Sequence, residues 1–362
     1  MKILQVITSL RIGGAEKLVA DMVPLLQAKG HVVEIFVFDG ITTPFLQQLE
    51  DNDVCVIRYN YGASMYDPKN ILKLRRLIPQ YDIVHTHNTS CQYYVAIARN
   101  LCKCNHVRFV TTEHSTTNRR RDMFMFKYLD KWMYRQYDSI ISISDKATVY
   151  LQNFIGTEFN IKTIYNGINL HRFINAGPLE QDLILKKNAG DFIISMIAGF
   201  REEKDQDTLI KALKYLPEKC KLWLIGDGVR KEFCVNLVQK MALVNRVVFA
   251  GIRTDIPNIL KTSDVIVMSS HWEGFGLAAI EGMAAGKPVI ASNVDGLAQV
   301  SGKAGVLFEP SNEIDLASAI KKIMTDKTFY MKTANECLKR ALDFDINKTV
   351  YEYMDLYKGL HD

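Results

Sequence analysis

SSHWEGFGLAAIEGMAA, residues 269–285, follows the apolar run Asp264-Val265-Ile266-Val267-Met268 and precedes Gly286-Lys287-Pro288-Val289-Ile290. The run is rich in β-branched residues and one strand long. Leu277 to Ala285 consists of good helix formers closed by a glycine that suits a helix C-cap, so the segment reads strand, loop, helix, turn, strand. In an open α/β sheet, ligands bind beyond the carboxyl ends of the strands, where a helix start offers free N–H groups and a positive dipole end to an anion. Gly274 and Gly276 let the backbone approach a diphosphate, because no Cβ stands between ligand and N–H. Glu273 and Glu281 frame the loop, and a carboxylate there accepts hydrogen bonds from sugar hydroxyls. Taken alone, Glu273 reads equally as a solvated loop residue and Glu281 as a surface helix residue favoured by the dipole.

The alternation extends to both sides. Phe192–Ala198 is an apolar strand ending in GFREEKDQDTLIKAL, with Arg201 and Lys204 between strand and helix. Two cations at that edge can neutralise a diphosphate and stabilise it as it leaves, or can simply pair with Glu202, Glu203 and Asp205 on the surface. Nearer the N-terminus, KILQVIT at residues 2–8 is a buried parallel strand, and Gly13-Gly14 form the βα turn that follows it. The turn lacks the third glycine of G-x-G-x-x-G, so no dinucleotide fold is read. Strand Asp82–Thr86 leads into His87 and strand Val107–Thr112 into Glu113-His114-Ser115, which puts both histidines at carboxyl ends. A lone histidine is more often structural than catalytic.

NRRRDMFMFKYLDKWMYRQY, residues 118–137, mixes basic and aromatic residues as an interfacial helix does. Met125, Leu129, Trp132 and Met133 nevertheless follow helical spacing, and the preferred reading is a core face, with Arg119-Arg120-Arg121 as a candidate contact for an anionic acceptor or lipid headgroup. Strand Ile161–Tyr165 ends in Asn166-Gly167-Ile168-Asn169, where a domain boundary is expected. Residues 174–190, with Gly177-Pro178, read as linker and short surface helix.

The chain's 362 residues suffice for two or three domains, and 48% hydrophobic with 23% charged residues describe an ordinary globular protein. The N-terminal apolar run is broken too soon for a signal peptide, and no run approaches a membrane span, so a cytoplasmic location is expected. Seven scattered cysteines match no zinc spacing and read as reduced thiols. Residues 1–180 hold 21 Lys+Arg against 16 Asp+Glu while the rest hold 24 of each, so the net charge of +5 lies in the first half. Such an excess suits anionic substrates or a membrane surface, or is only a solvated face.

The E-x7-E spacing around G-F-G resembles the signature of retaining glycosyltransferases of family 4. GGAE, TEHS, the IYNGINLHRF crossover and the G-R-x-x-x-K-D segment resemble that family's other motifs, in the same order and over nearly the whole chain. The resemblance implies an α/β GT-B fold, two Rossmann-like doubly wound parallel-sheet domains facing across a cleft. Residues 1–172 would form the acceptor domain, with a C-terminal helix at 345–362 crossing back to it, 173–190 the linker, and 191–344 the nucleotide-sugar donor domain. It further implies that Glu281 binds the ribose and Arg201 and Lys204 the donor phosphates. Gly13, Gly14, Gly274, Phe275, Gly276 and Leu277 would lie along the donor, Glu273 and His114 against the transferred sugar, and His87 and Asn166 along the acceptor side. Asn169 stands where the family commonly has aspartate and Gln299 where it has glutamate.

The function so implied is retaining transfer of a hexosyl group from a nucleoside-diphosphate sugar, UDP foremost, to a saccharide or lipid-linked hydroxyl in cell-surface polysaccharide or glycolipid synthesis. His114, Glu273, Arg201 and Lys204 would carry the catalysis. Neither histidine need be a base, since the leaving phosphate can take the acceptor's proton. No cofactor, metal or nucleic acid is called for: the nucleotide sugar is a substrate, no D-x-D cluster ends a strand, and cations already serve the phosphates. A peripheral contact with the inner membrane surface fits the basic first half. The alternatives left open are a GT-B nucleotide-sugar-binding protein without transfer activity and a GT-B epimerase or phosphorylase.

Overall fold

The computed structural model describes residues 1–11, 13–58, 66–102, 104–114, 124–180 and 182–361, with Phe124 and Met125 described by backbone only. Ser115, the triple arginine 119–121 and the Met125 side chain therefore lie outside the described residues. The chain divides into two units, one of residues 1–167 with the C-terminal segment from Ile346, the other of residues 168–345.

The first unit is a seven-stranded parallel sheet in the order β3-β2-β1-β4-β5-β6-β7. Its strands are β1 (Lys2–Ile7), β2 (Val32–Val37), β3 (Cys55–Arg58), β4 (Ile83–His87), β5 (Arg108–Glu113), β6 (Ser139–Ser142) and β7 (Ile161–Thr163). The connecting helices are α1 (Gly14–Ala28), α2 (Pro44–Glu50), α3 (Lys69–Leu77), α4 (Thr89–Cys102), α5 (Phe124–Tyr134) and α6 (Asp145–Ile155). Helices cover both faces, so the central strands are apolar on both. Ile3 and Ile7 pack with Leu18 and Met22 on one face, and Leu4 and Val6 pack with Val84 and Phe109 on the other, as the two-residue strand period requires. The C-terminal helix, Ile346–His361, adds Ile346, Val350, Tyr353 and Tyr357 to the Ile3 face.

The second unit is a six-stranded parallel sheet in the order β10-β9-β8-β11-β12-β13. It opens with α7 (Leu170–Ile174) and contains β8 (Phe192–Ile197), α8 (Gln206–Ala212), β9 (Cys220–Ile225), α9 (Lys231–Lys240), β10 (Val247–Gly251) and α10 (Ile256–Thr262). It continues with β11 (Val265–Met268), α11 (Leu277–Ala284), β12 (Val289–Ser292), α12 (Asp295–Ser301), β13 (Val306–Phe308), α13 (Glu313–Thr325) and α14 (Lys327–Ala341), after which α15 (Ile346–His361) belongs to the first unit. Both sheets change the direction in which strands are added: between β1 and β4 in the first, between β8 and β11 in the second. At such a switch point two successive loops part to opposite sides and leave a crevice for ligand.

Two readings of the sequence need correction. Among the described side chains of α5, Asp130, Met133 and Tyr134 are buried, Met133 as expected, whereas Leu129 is 46% and Trp132 37% exposed, with Tyr128 outside as well. The helical period is right but the buried stripe is rotated from the expected one: Tyr134 donates to Glu113 at 2.6 Å and Tyr93 bonds Asp130, so polar partners inside hold the helix by a different face. Residues 175–190 form no helix among those described. Leu185 is buried against Trp223 and Ile259, and Arg253 pairs with Asp182 at 2.5 Å, so this stretch is pinned to the second unit.

Candidate active site

The loops after β8 and β11 flank the second sheet's switch point, and these are the loops that carry Arg201, Lys204 and Glu273. Lys204 Nζ bonds Glu273 Oε2, and both side chains are mostly buried. Two hydrogen bonds to backbone carbonyls fasten the same loops together. Ser269 Oγ donates to the Asp205 carbonyl at 2.7 Å, and the His271 N–H donates to the Glu203 carbonyl at 2.8 Å. Asp205 adopts a left-handed conformation, φ 48°, and caps α8 through the Thr208 N–H at 3.3 Å and the Thr208 hydroxyl at 2.6 Å. Burial raises its pKa. The Arg201 side chain, by contrast, is 66% exposed, 3.7 Å from Glu203, and so is open to a ligand from solvent.

Gly276 caps α11 with φ 98°, a left-handed conformation that side chains other than glycine's adopt at a cost. Gly296 is required for another reason. A Cβ there would lie 2.4 Å from the Glu273 carbonyl oxygen and 2.9 Å from Phe275 N, so the start of α12 lies directly against the Glu273–Phe275 backbone. The Phe275 side chain is buried and packs edge-on against Phe344, with centroids 5.5 Å apart. The ring is therefore taken up in the interior, and a ligand at this loop would meet backbone instead. Leu277, half-buried, begins the helix, and Glu281 one turn on is 5% exposed rather than on the surface. A carboxylate placed there costs desolvation and must be held by hydrogen bonds.

The first sheet's switch point lies between Gly13-Gly14, after β1, and His87, the last residue of β4. Gly13 is extended and caps α1, and Gly14 begins it. His114 follows β5 and lies 3.0 Å from His87, Nε2 to Nδ1; His87 Nε2 lies 2.7 Å from Gln5 Oε1. Behind them, His85 contacts the Tyr357 hydroxyl at 2.6 Å and Thr112 Oγ1 at 2.8 Å. Asn166 is buried at the end of this unit, with no hydrogen-bond partner for its Oδ1 among the described residues. Sequence reading missed Gln5, His85, Tyr353 and Tyr357. The available signal was I-V-H-T-H, whose two-residue spacing puts both histidines on one face, and the Tyr353/Tyr357 pair one helical turn apart.

Burial lowers the pKa of His85 and His87 well below the ordinary imidazole value and that of His114 to about 4. Unfolded imidazoles titrate near about 6.5, so below that pH the unfolded chain binds more protons, and stability is lost as pH falls. Each histidine contributes up to about 1.4 kcal/mol per pH unit in that window. Urea unfolding should therefore show a lower midpoint at pH 5 than at pH 7; equal midpoints would contradict the buried neutral cluster.

Two doubly wound sheets, each with its polar loops at its switch point, are the architecture of GT-B glycosyltransferases. A model of glycosyl transferases group 1 matches residues 180–342 and one of glycosyltransferase family 4 matches residues 12–172, and the chain belongs to family 4 of the glycosyltransferases. Among its relatives is the UDP-Gal:alpha-D-GlcNAc-diphosphoundecaprenol alpha-1,3-galactosyltransferase of Escherichia coli, 30% identical over 80% of this chain and 79% of that one. The N,N'-diacetylbacillosaminyl-diphospho-undecaprenol alpha-1,3-N-acetylgalactosaminyltransferase of Campylobacter jejuni is 24% identical over 92% and 93%. In fold the chain is similar to Anabaena HepE, crystallised with UDP and glucose, at a TM-score of 0.86 over 99% of this chain and 100% of that one, with 22% identity. Among the described residues no helix is long and apolar enough to cross a membrane.

Proposed function

We propose that the protein is a retaining hexosyltransferase that takes its sugar from UDP and passes it to a hydroxyl of a saccharide or lipid-linked acceptor in cell-surface polysaccharide or glycolipid assembly. The observation that carries this reading is the Lys204–Glu273 pair, which joins the two loops at the second sheet's switch point. A cation and a carboxylate held together there suit a ligand that presents phosphate and sugar hydroxyls side by side. UDP is favoured because the Escherichia coli relative is named for UDP-Gal.

In this reading Arg201 and Lys204 hold the diphosphate, the N–H groups at Gly274–Leu277 complete its cradle, and Gly13-Gly14 supply a second helix start. Glu281 takes the ribose hydroxyls, and Glu273 and His114 orient the sugar, with His87 and Asn166 on the acceptor side. The anomeric C–O bond breaks with its electrons passing to the phosphate, whose charge the two cations stabilise. The same phosphate accepts the acceptor's proton, and the new C–O bond forms on the face the phosphate left, so the anomeric configuration is kept. The cations do the charge work a divalent metal would do, and transfer is expected to continue in excess chelator. NMR of the first-formed product tests the stereochemistry: an inverted anomer would refute the retaining reading. Glu281→Ala should weaken UDP binding about tenfold, about 1.4 kcal/mol, by calorimetry; unchanged affinity would remove Glu281 from the ribose site.

A lipid-linked acceptor requires that the protein reach a membrane surface, and α5 supplies a face for it. Tyr128, Leu129 and Trp132 are exposed beside Lys127, Lys131 and Arg135, an apolar and cationic combination suited to an anionic bilayer. Sedimentation with vesicles containing anionic lipid should show salt-sensitive binding that Trp132→Ala with Leu129→Ser reduces about tenfold, from the lost apolar burial. Binding unaffected by these changes would move the contact elsewhere.

A further inference from the structure

The first unit holds three imidazoles and two tyrosines in one buried array that exceeds what packing requires. From the His114 end, His114 Nε2 lies 3.0 Å from His87 Nδ1, and His87 Nε2 lies 2.7 Å from Gln5 Oε1. Gln5 Nε2 lies 3.4 Å from the Tyr357 hydroxyl, which lies 2.6 Å from His85 Nδ1. His85 Nε2 is 2.8 Å from Thr112 Oγ1, and that hydroxyl is 3.2 Å from the Tyr353 hydroxyl. Parallel register puts Gln5 beside His85 and Thr112 beside His87, so β1, β4 and β5 supply one continuous face. The two tyrosines arrive from α15, more than two hundred residues away in sequence.

Donor and acceptor counting along this chain fixes the protons. Gln5 Oε1 can only accept, so His87 Nε2 carries the proton and His87 Nδ1 is a bare acceptor. A bare His87 Nδ1 needs a donor, so His114 Nε2 carries its proton too, which leaves His114 Nδ1 as a lone pair. That nitrogen is buried and has no hydrogen-bond partner among the described residues. The amide of Gln5 is oriented in turn by its N–H donating to Tyr357, whose own proton goes to His85. Burial disfavours protonation of each ring, so the neutral forms this count assumes are the stable ones.

We propose that Gln5, His87 and Tyr357 are positioning residues that lock His114 in the Nε2–H tautomer and present its Nδ1 lone pair as a fixed acceptor for a hydroxyl of the transferred sugar. The inference rests on the reading of His114 as the sugar-contacting histidine. Its consequence is that α15, which holds no residue of the candidate site, sets the chemistry of that site through Tyr357. A second-layer partner that fixes a histidine's tautomer is a general means of orienting the ring that touches substrate.

The test is long-range 1H–15N correlation spectroscopy of the histidine side chains in the full-length protein without ligand, paired with kinetics of sugar-nucleotide turnover by transfer or hydrolysis. Wild type should show His114 and His87 as single Nε2–H tautomers. Gln5→Met, which keeps volume and loses the strong acceptor, should yield mixed tautomers and lower kcat by about tenfold or more, with the KM for the sugar nucleotide within about twofold. Tyr357→Phe serves as a second variant if Gln5→Met folds poorly, with the same tautomer mixture and a smaller fall in kcat. An Nδ1–H tautomer of His114 in wild type, or variants that fold and keep both tautomer and kcat, would overturn the proposal. Because the spectra need no substrate, failure of wild type to bind UDP would count against the proposed transfer reaction and leave the tautomer result to decide the relay.

Discussion

Lys204→Ala should lower kcat by about a hundred- to a thousandfold, about 2.7–4 kcal/mol of transition-state stabilisation, because in the proposed reaction charge develops on the leaving diphosphate beside this ammonium. The effect should exceed that of Arg201→Ala. Lys204 is mostly buried and already fixed against Glu273, whereas the Arg201 side chain is largely in solvent and must be ordered by the ligand. Removing Lys204 also leaves Glu273 without this counter-ion, so the substitution converts an acceptor that is held in place into an unpaired carboxylate facing an anionic ligand. Single-turnover rates of sugar-nucleotide cleavage measure the loss directly. A fall of less than about tenfold would mean that the helix start and Arg201 carry the leaving group without Lys204.

Gly296→Ala should cost about 1–3 kcal/mol in stability and abolish measurable UDP binding together, since the new Cβ can be accommodated only by moving backbone. The atoms it would strike are the Glu273 carbonyl oxygen at 2.4 Å and the Gly274 carbonyl carbon at 2.9 Å, which belong to the loop proposed to hold the diphosphate. A control isolates the cause: a Cβ added at Gly359 in α15 meets nothing within 4 Å, and alanine there should leave stability equal or slightly raised, as helix propensity dictates. Urea unfolding and calorimetry on both variants check the pair. Retained UDP affinity in Gly296→Ala would show that the loop yields without losing its ligand geometry.

What the sequence disclosed and what it withheld follow from the range of the interactions involved. Strand–helix alternation is local, and Asp264–Ala285 reads as strand, loop and helix from β-branched residues, glycines and helix formers that lie side by side. The candidate donor loops were visible for the same reason, since Arg201, Lys204, Glu273 and Glu281 each stand next to a strand end or a helix start. The contacts that fasten those loops were not visible. Ser269 to the Asp205 carbonyl and His271 to the Glu203 carbonyl join residues more than sixty positions apart, and nothing in either segment names the other. The Gln5–His87–Tyr357 array is more distant still, spanning 352 residues from Gln5 to Tyr357. The α5 stripe failed differently: apolar periodicity found the helix, but buried polar bonds from Asp130 and Tyr134 decided which side faces inward.

In the proposed reading the second unit's switch point binds a nucleoside diphosphate through Lys204, Arg201 and Glu281. Isothermal titration of the wild-type protein with UDP, GDP and ADP, in buffer containing chelator, tests it most directly. UDP should bind saturably at a single site, the other two much more weakly, and the UDP signal should be lost in the Arg201→Ala, Lys204→Ala double variant. Absence of binding by all three nucleotides, or UDP binding that survives the double substitution unchanged, would contradict it.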